Sequence, residues 1–130
     1  MKNKMKWLGI IAFIAIIGVS MFSCDLNFDE LNGDWDRGDI IVTFNDSDGR
    51  FTQINSNSGW FTLQNNGTVK IGDRKFRNLS SSGNSKWTGQ ELTYIGNSTS
   101  WESTTLTISG QILTTVTPAA SPSTNTYTRR

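Results

Sequence analysis

The sequence predicts an all-β fold after residue 24, in which a meander of about eight to ten antiparallel strands closes into a small barrel. Short runs rich in threonine, valine, isoleucine and aromatic residues alternate with turn residues at close spacing. No segment there carries apolar residues at the helical positions i, i+3, i+4 and i+7, so we expect no helix beyond a short turn at residues 26–31. Closure is expected because it removes the exposed edges of the sheet.

The first 23 residues have the pattern of a cleavable, helical signal peptide. Three lysines, Lys2, Lys4 and Lys6, precede an apolar run over residues 7–22. As a helix this run reaches roughly 24 Å, less than the roughly 30 Å hydrocarbon core of a bilayer. The alternative, an uncleaved anchor that spans the membrane once, fits this length less well.

Cys24 ends the apolar run and is the single cysteine of the chain. A lone cysteine cannot close an intrachain disulfide. The segment Met21-Phe22-Ser23-Cys24 resembles a bacterial lipobox, in one of the looser forms familiar in spirochaetes. The resemblance implies a lipoprotein of the cell envelope, on the periplasmic face or the cell surface, that is anchored to the membrane through an acylated, palmitate-bearing Cys24.

The chain after Cys24 divides into a short anchor linker (residues 24–32) and one barrel domain (residues 33–130). Within the barrel, Ile40, Val42 and Phe44 are expected to share one face, and Phe76 is expected to point inward between two outward bases. Residues 45–49 form a turn with a positive φ at Gly49, residues 65–67 a hairpin turn, and residues 79–84 a loop. Strands are expected at residues 33–37, 39–45, 50–55, 59–64, 68–72, 75–77, 86–95, 101–109, 111–117 and 125–130.

Both ends of this chain carry a resemblance to a known superfamily. An Asn-Phe-Asp lead at residues 27–29 precedes a Gly-x-Trp motif formed by Gly33 and Trp35, and the chain ends in Tyr-x-Arg. This pattern resembles the calycin superfamily of lipocalins and avidin-like barrels, and more specifically the small lipocalin-like lipoproteins of bacteria. The resemblance implies that a basic residue of the last strand lies across Trp35. We expect Arg129 rather than Arg130, because Arg129 shares strand parity with Tyr127.

The composition excludes several classes of chemistry. The chain has no histidine, which removes His-based metal sites and Ser-His-Asp or Cys-His catalysis. Residues 46–49 lack the spacing of a calcium loop. Residues 24–130 carry nine bases against eleven acids, without a strongly basic segment for nucleic acid. We therefore expect a monomer without enzymatic activity, metal, cofactor or nucleic-acid partner.

The large aromatic side chains suggest where a contact surface lies. Most of them are expected to fill the barrel, since each buries about 150–250 Å². Trp60 and Phe61 are adjacent in an expected strand, so one of them should point outward. The candidate ligand or contact residues are Trp60, Phe61, Trp87 and Trp101.

Three functions fit these observations. The first is a binding module that holds a small apolar ligand, or contacts a partner protein of the envelope or the host, at one open end of the barrel. The second is a structural or surface-exposed lipoprotein with a filled core and no ligand. The third is an inhibitor of an envelope enzyme that acts through a loop at residues 79–86. A cavity of about 300 Å³ or more would favour the first.

The N-terminal pattern generates a direct prediction. Replacement of Cys24→Ala should abolish incorporation of labelled palmitate and block processing, because the thiol is the group that receives the diacylglycerol. The measurement is the label carried by the variant and by its parent. Equal label in both would contradict lipidation at Cys24.

Overall fold

Eight antiparallel strands close into a barrel in the computed structural model, which describes residues 28–130. Each strand pairs with its neighbours in the chain, and the last strand pairs with the first, so the expected fold class is confirmed. The predicted signal peptide and Cys24 lie outside the described residues. The strands and the helix of the described part are β1 (Gly33–Asp36), β2 (Ile40–Asn45), β3 (Asp48–Ile54), α1 (Trp60–Asn65), β4 (Arg74–Gly83), β5 (Lys86–Ile95), β6 (Ser98–Ser109), β7 (Ile112–Val116) and β8 (Thr124–Arg129).

The connections between strands alternate between the two ends of the barrel, because consecutive strands run antiparallel. The turns β2–β3, β4–β5 and β6–β7 lie at one end, which we call the closed end. The connections β1–β2, β3–β4, β5–β6 and β7–β8 lie at the other, which we call the open end. Helix α1 belongs to the β3–β4 connection and therefore lies at the open end.

Aromatic side chains fill the interior of the barrel. Trp35, Phe44, Phe76, Trp87 and Tyr127 are almost completely buried. The Phe76 ring lies 5.2 Å from that of Phe44 and 6.3 Å from that of Tyr127, measured between ring centroids. These distances are those of favourable tilted and edge-to-face contacts. Ile40, Val42 and Phe44 of β2 are buried as expected, but Ile41 between them is buried too, at a shift in the register with β3.

A network around Trp35 covers the closed end. Residues 28–31 form a turn, in which the Leu31 and Asn32 amides donate to the Phe28 carbonyl at 3.0 and 2.8 Å. The indole nitrogen of Trp35 donates to the Leu31 carbonyl at 2.7 Å. The Arg129 guanidinium carbon lies 4.2 Å from the centroid of the Trp35 ring, which is the contact that the resemblance implied and for which strand parity favoured Arg129 over Arg130.

Arg129 extends this network to the backbone of the N-terminal turn. Its guanidinium donates to the carbonyls of Glu30 and Asn32. Phe28 and Leu31 are buried in the main hydrophobic cluster. The described part of the segment predicted as a linker therefore packs as part of the folded barrel.

The β2–β3 turn differs from the prediction in the residue that takes the unusual backbone conformation. Asp46 has a positive φ of 56°, whereas Gly49 is not among the residues with positive φ and lies within β3. A Cβ atom at Gly49 would lie 2.8 Å from the Phe44 ring and 3.0 Å from Val42. Gly49 is thus required for close packing of the barrel wall, and Asp46 tolerates the left-handed turn.

Three predicted segments are wrong. The strand expected at residues 59–64 is replaced by α1, whose Trp60 and Leu63 are buried at helical spacing. Residues 68–72 form turns instead of a strand, although Val69 is buried. Most of the loop expected at residues 79–84 is strand, because β4 continues to Gly83 and pairs its polar residues with β5.

No helix among residues 28–130 has the length and apolar character needed to cross a bilayer.

The contact between Arg129 and Trp35 predicts a specific loss of stability. The Arg129→Ala change should lower the free energy of unfolding by about 1–3 kcal/mol, because it removes a cation–π contact and hydrogen bonds to two carbonyls. The measurement is urea unfolding followed by tryptophan fluorescence.

Arg130→Ala is the matched control for this prediction. Arg130 is exposed and lies 3.6 Å from Asp36, so its removal should change stability by less than about 0.5 kcal/mol. Equal effects of the two substitutions would show that Arg129 does not hold the closed end.

Candidate functional site

A cavity of about 340 Å³ lies at the open end of the barrel. Elements from all around the barrel contribute to it: the β1–β2 connection, helix α1, the start of β4, the end of β5 and the β7–β8 connection. Its walls combine aromatic and charged groups. The lining residues are Arg37, Asp39, Trp60, Lys75, Glu91, Leu92, Thr93, Tyr94, Ala120, Ser121, Pro122 and Asn125.

Two oppositely charged side chains, Lys75 and Glu91, are buried at the base of this cavity, each about 2% exposed. The Lys75 amine donates to the Glu91 carboxylate, and also to the Leu92 carbonyl at 2.8 Å. The Thr117 hydroxyl donates to the second carboxylate oxygen of Glu91 and lies 2.7 Å from the Thr104 hydroxyl. We call Lys75, Glu91, Thr104 and Thr117 the buried polar cluster.

A β-bulge places Lys75 in this cluster. In the ladder between β3 and β4, Gly49 pairs with Phe76 but the next residue, Arg50, pairs with Arg74. Lys75 is therefore the extra residue on β4, and both it and Phe76 are buried. Bulges of this kind re-aim a side chain and interrupt the regular alternation of a strand. The prediction that both bases flanking Phe76 point outward is thus wrong for Lys75.

Burial is the main influence on the charge of Lys75. It lowers the pKa of the Lys75 amine from 10.5 to about 8, against the charge and the hydrogen bond of Glu91, which act in the opposite direction. The amine also lies 5.0 Å from the centroid of the Trp60 ring. A substantial share of this lysine is therefore neutral near physiological pH.

A second ion pair, Arg37 and Asp39, lies at the rim of the cavity. The guanidinium donates to both carboxylate oxygens at 2.7 and 2.8 Å, and Ser58 donates to Asp39 at 3.0 Å. Burial alone would lower the pKa of Arg37 and raise that of Asp39. The hydrogen bonds and charges of the pair outweigh it, so the pKa of Arg37 lies above its ordinary value and that of Asp39 below.

The Tyr127 hydroxyl lies near these charges. It is buried and has no hydrogen-bond partner among residues 28–130. Burial raises the pKa of its phenol, and the charges of Arg37, Glu91 and Asp39 act on it as well. Tyr127 itself does not line the cavity.

Trp60 and Tyr94 form the aromatic wall of the cavity. Their rings meet edge to face with centroids 4.6 Å apart, and the Trp60 ring also lies 5.1 Å from Phe51 inside the barrel. Gly59 allows this contact, because a Cβ atom there would lie 1.6 Å from the Tyr94 hydroxyl. Helix α1 thus brings one indole ring to the mouth of the barrel.

Of the four aromatic residues that the sequence suggested as contact residues, only Trp60 lines the cavity. Trp87 is buried in the core, and Phe61 packs against the core from outside. Trp101 is half-buried, and the Arg77 guanidinium lies 4.1 Å from the centroid of its ring. The prediction that Trp60 and Phe61 point to opposite faces of a strand is wrong, because both belong to helix α1.

The sequence reasoning missed the four charged residues of the site. Glu91 had a signal, since it shares strand parity with Trp87, whose side chain is buried. Arg37 and Asp39 bracket Gly38 in a tight connection, which places their side chains together. Lys75 had no such signal, because its burial depends on the bulge.

Among residues 28–130, no group of three or more acidic, histidine or cysteine side chains is placed to hold a metal ion. Comparison with protein-family models, with curated proteins and with solved structures finds no match.

The lowered pKa of Lys75 predicts how stability depends on pH. Between pH 8 and about 10 the unfolded chain holds this proton more firmly than the folded protein, so the free energy of unfolding should rise with pH. Over this pH range the free energy of unfolding should increase by at most roughly 3 kcal/mol. Above about pH 10 the raised pKa of Tyr127 acts in the opposite direction, because only the unfolded chain then loses that proton.

The measurement is urea unfolding at several pH values between about 7 and 9.5. The control is the double variant Lys75→Met with Glu91→Leu, which removes both charges and keeps the interior apolar. This double variant should fold, and its free energy of unfolding should not rise with pH over this range. A rise of equal size in the double variant would assign the effect to other groups.

Proposed function

We propose that this protein is a lipid-anchored, calycin-like lipoprotein of the cell envelope whose barrel binds a small ligand without catalysing a reaction. The observation that carries the proposal is the cavity of about 340 Å³ at the open end. Small-ligand sites typically have volumes of about 300–1,000 Å³ and combine apolar walls with a few polar groups. The cavity has both features, and its volume suits a ligand at the small end of this range.

The lining determines the kind of ligand that the cavity suits. The sequence favoured an apolar ligand, whereas Arg37, Asp39, Lys75 and Glu91 all line the cavity. A purely apolar molecule would displace water from the partly exposed Arg37–Asp39 pair without offering it a hydrogen bond. A ligand with a flat apolar part for the Trp60 wall and a polar group for the base fits better. We therefore propose that the cavity binds an amphipathic ligand and not a purely apolar one.

The position of residue 28 supports a ligand that arrives from water. Residue 28 lies at the closed end, where Phe28 is buried against the barrel. Cys24 precedes it by four residues, which span at most about 14 Å. An anchor at Cys24 would therefore keep the closed end near the membrane and turn the cavity away from it.

The calycin-like assignment rests on the closed end. Trp35 of the Gly-x-Trp motif lies beneath Arg129 of the last strand, as the resemblance implies. A structural lipoprotein with a filled core is the second candidate, and the tight aromatic packing of the barrel interior favours it. An inhibitor loop at residues 79–86 is not proposed, because these residues belong mainly to β4 and β5.

Ligand binding at the open end predicts the effect of a change that fills the cavity. In Ala120→Trp an indole ring should occupy the space beside the β7–β8 connection and exclude the ligand. Ala119→Trp is the matched control, because Ala119 is exposed and does not line the cavity.

The measurement is native mass spectrometry of the full-length protein purified from its own cells in mild detergent. A small molecule should accompany the parent and Ala119→Trp, and its occupancy should fall at least about tenfold in Ala120→Trp, a loss of roughly 1.4 kcal/mol in binding. Absence of any bound molecule from all three proteins would favour the structural lipoprotein.

A further inference from the structure

Lys75 differs from the other lysines of the described part by its position. Lys70 and Lys86 are exposed, whereas Lys75 is buried and its side chain lines the cavity. Its amine lies between the Glu91 carboxylate and the faces of two aromatic rings, 5.0 Å from the centroid of Trp60 and 5.3 Å from that of Phe76. A small molecule in the cavity would reach this nitrogen before it met any other amine of residues 28–130.

The contacts of Lys75 accommodate both protonation states of the amine. Among the described residues its nitrogen has two acceptors, the Glu91 carboxylate and the Leu92 carbonyl. An ammonium group carries three N–H donors, whereas a neutral amine carries two and a lone pair. The charge of Glu91 and the faces of Trp60 and Phe76 favour the ammonium form, whereas in the neutral form the two acceptors take both donors and leave the lone pair for an electrophile.

We propose that Lys75 captures a small aromatic aldehyde from solution as an imine, which is a covalent but reversible form of binding. This inference rests on the proposed function, because it assigns a ligand class to the same cavity. The aldehyde carbon would meet the amine at the base, and the aromatic ring would lie against the Trp60 and Tyr94 wall.

The step balances without an oxidant or a reductant. The lone pair of Lys75 forms a C–N bond to the carbonyl carbon, and the π electrons of the carbonyl move to its oxygen. Glu91 accepts a proton from the nitrogen through their hydrogen bond and returns it to that oxygen. Glu91 then passes the remaining proton of the nitrogen to the resulting hydroxyl, the nitrogen electron pair forms the C=N bond as the C–O bond breaks, and water leaves. The imine takes up one proton from solvent and stays paired with the Glu91 carboxylate.

Burial makes the neutral amine available. It lowers the pKa of Lys75 to about 8, against the opposing effects of Glu91 and Asp39 and with a smaller contribution from Arg37 in the same direction. At pH 8 about half of this amine is neutral, compared with roughly 0.3% for an ordinary lysine. The Thr117 hydroxyl holds the other carboxylate oxygen of Glu91 and so positions it for proton transfer.

The test is reductive trapping of the full-length protein in mild detergent, with benzaldehyde as the probe and cyanoborohydride to reduce the imine. Peptide mapping by mass spectrometry then locates the benzyl group. Labelling of Lys75 should be at least about tenfold faster than that of Lys70 or Lys86, and its rate should rise from about pH 7 to pH 8.5. The comparison within the parent protein needs no variant to fold.

Three variants test whether the label is specific to Lys75 and to the cavity. Lys75→Arg should abolish the selective label, Ala120→Trp should slow it, and Lys86→Met should leave the rate at Lys75 unchanged. Equal rates at the three lysines, or faster labelling of Lys70 or Lys86, would overturn the inference. Suppose instead that a bound small molecule is lost in Ala120→Trp but benzaldehyde does not label Lys75 selectively. That result would contradict the imine and still support the binding function. Absence of both the bound molecule and the selective label would remove both proposals.

Discussion

Closure of the barrel between β8 and β1 is the constraint on which the rest of the structure depends. The ladder between these strands is short, with Thr128 opposite Asp36 and Arg129 opposite Trp35. Stacking of Arg129 on the Trp35 ring reinforces it at the same register position. Trp35 also binds the Leu31 carbonyl, so the contact that closes the sheet also holds the N-terminal turn across the closed end. Because the N-terminal turn covers the closed end, the cavity lies at the opposite, open end.

The two halves of the barrel interior differ in chemistry. Near the closed end the interior is packed with aromatic and aliphatic side chains, which provide hydrophobic stabilisation. Near the open end it contains Lys75 and Glu91, whose removal from water costs several kcal/mol per ion before their attraction offsets it. A well-packed apolar pair would serve stability equally well or better. A role at the cavity is therefore a better explanation of this ion pair than fold stability.

Sequence patterns predicted the regular part of the fold and failed where burial depends on distant elements. The strand at residues 86–95 was predicted with its observed bounds, because residues that favour β-structure lie there between turn-forming residues at 83–85 and 96–97. Helix α1 was missed because six residues are too few to show helical periodicity, and Trp60 is buried only by covering the open end. The polar second half of β4 was missed because its stability comes from pairing with β5.

The sequence by itself determined the closed antiparallel barrel, because strand alternation and turn residues are local properties of the chain. The resemblance at the two ends of the chain implied the contact between Trp35 and the last strand, and strand parity favoured Arg129 over Arg130 for it. The sequence also determined that no histidine is available for catalysis and that its single cysteine closes no intrachain disulfide. Only the tertiary structure decided the site. A one-residue bulge on β4 turns Lys75 inward to meet Glu91 of the next strand, and register shifts of this kind depend on how two strands pair rather than on the order of residues in either.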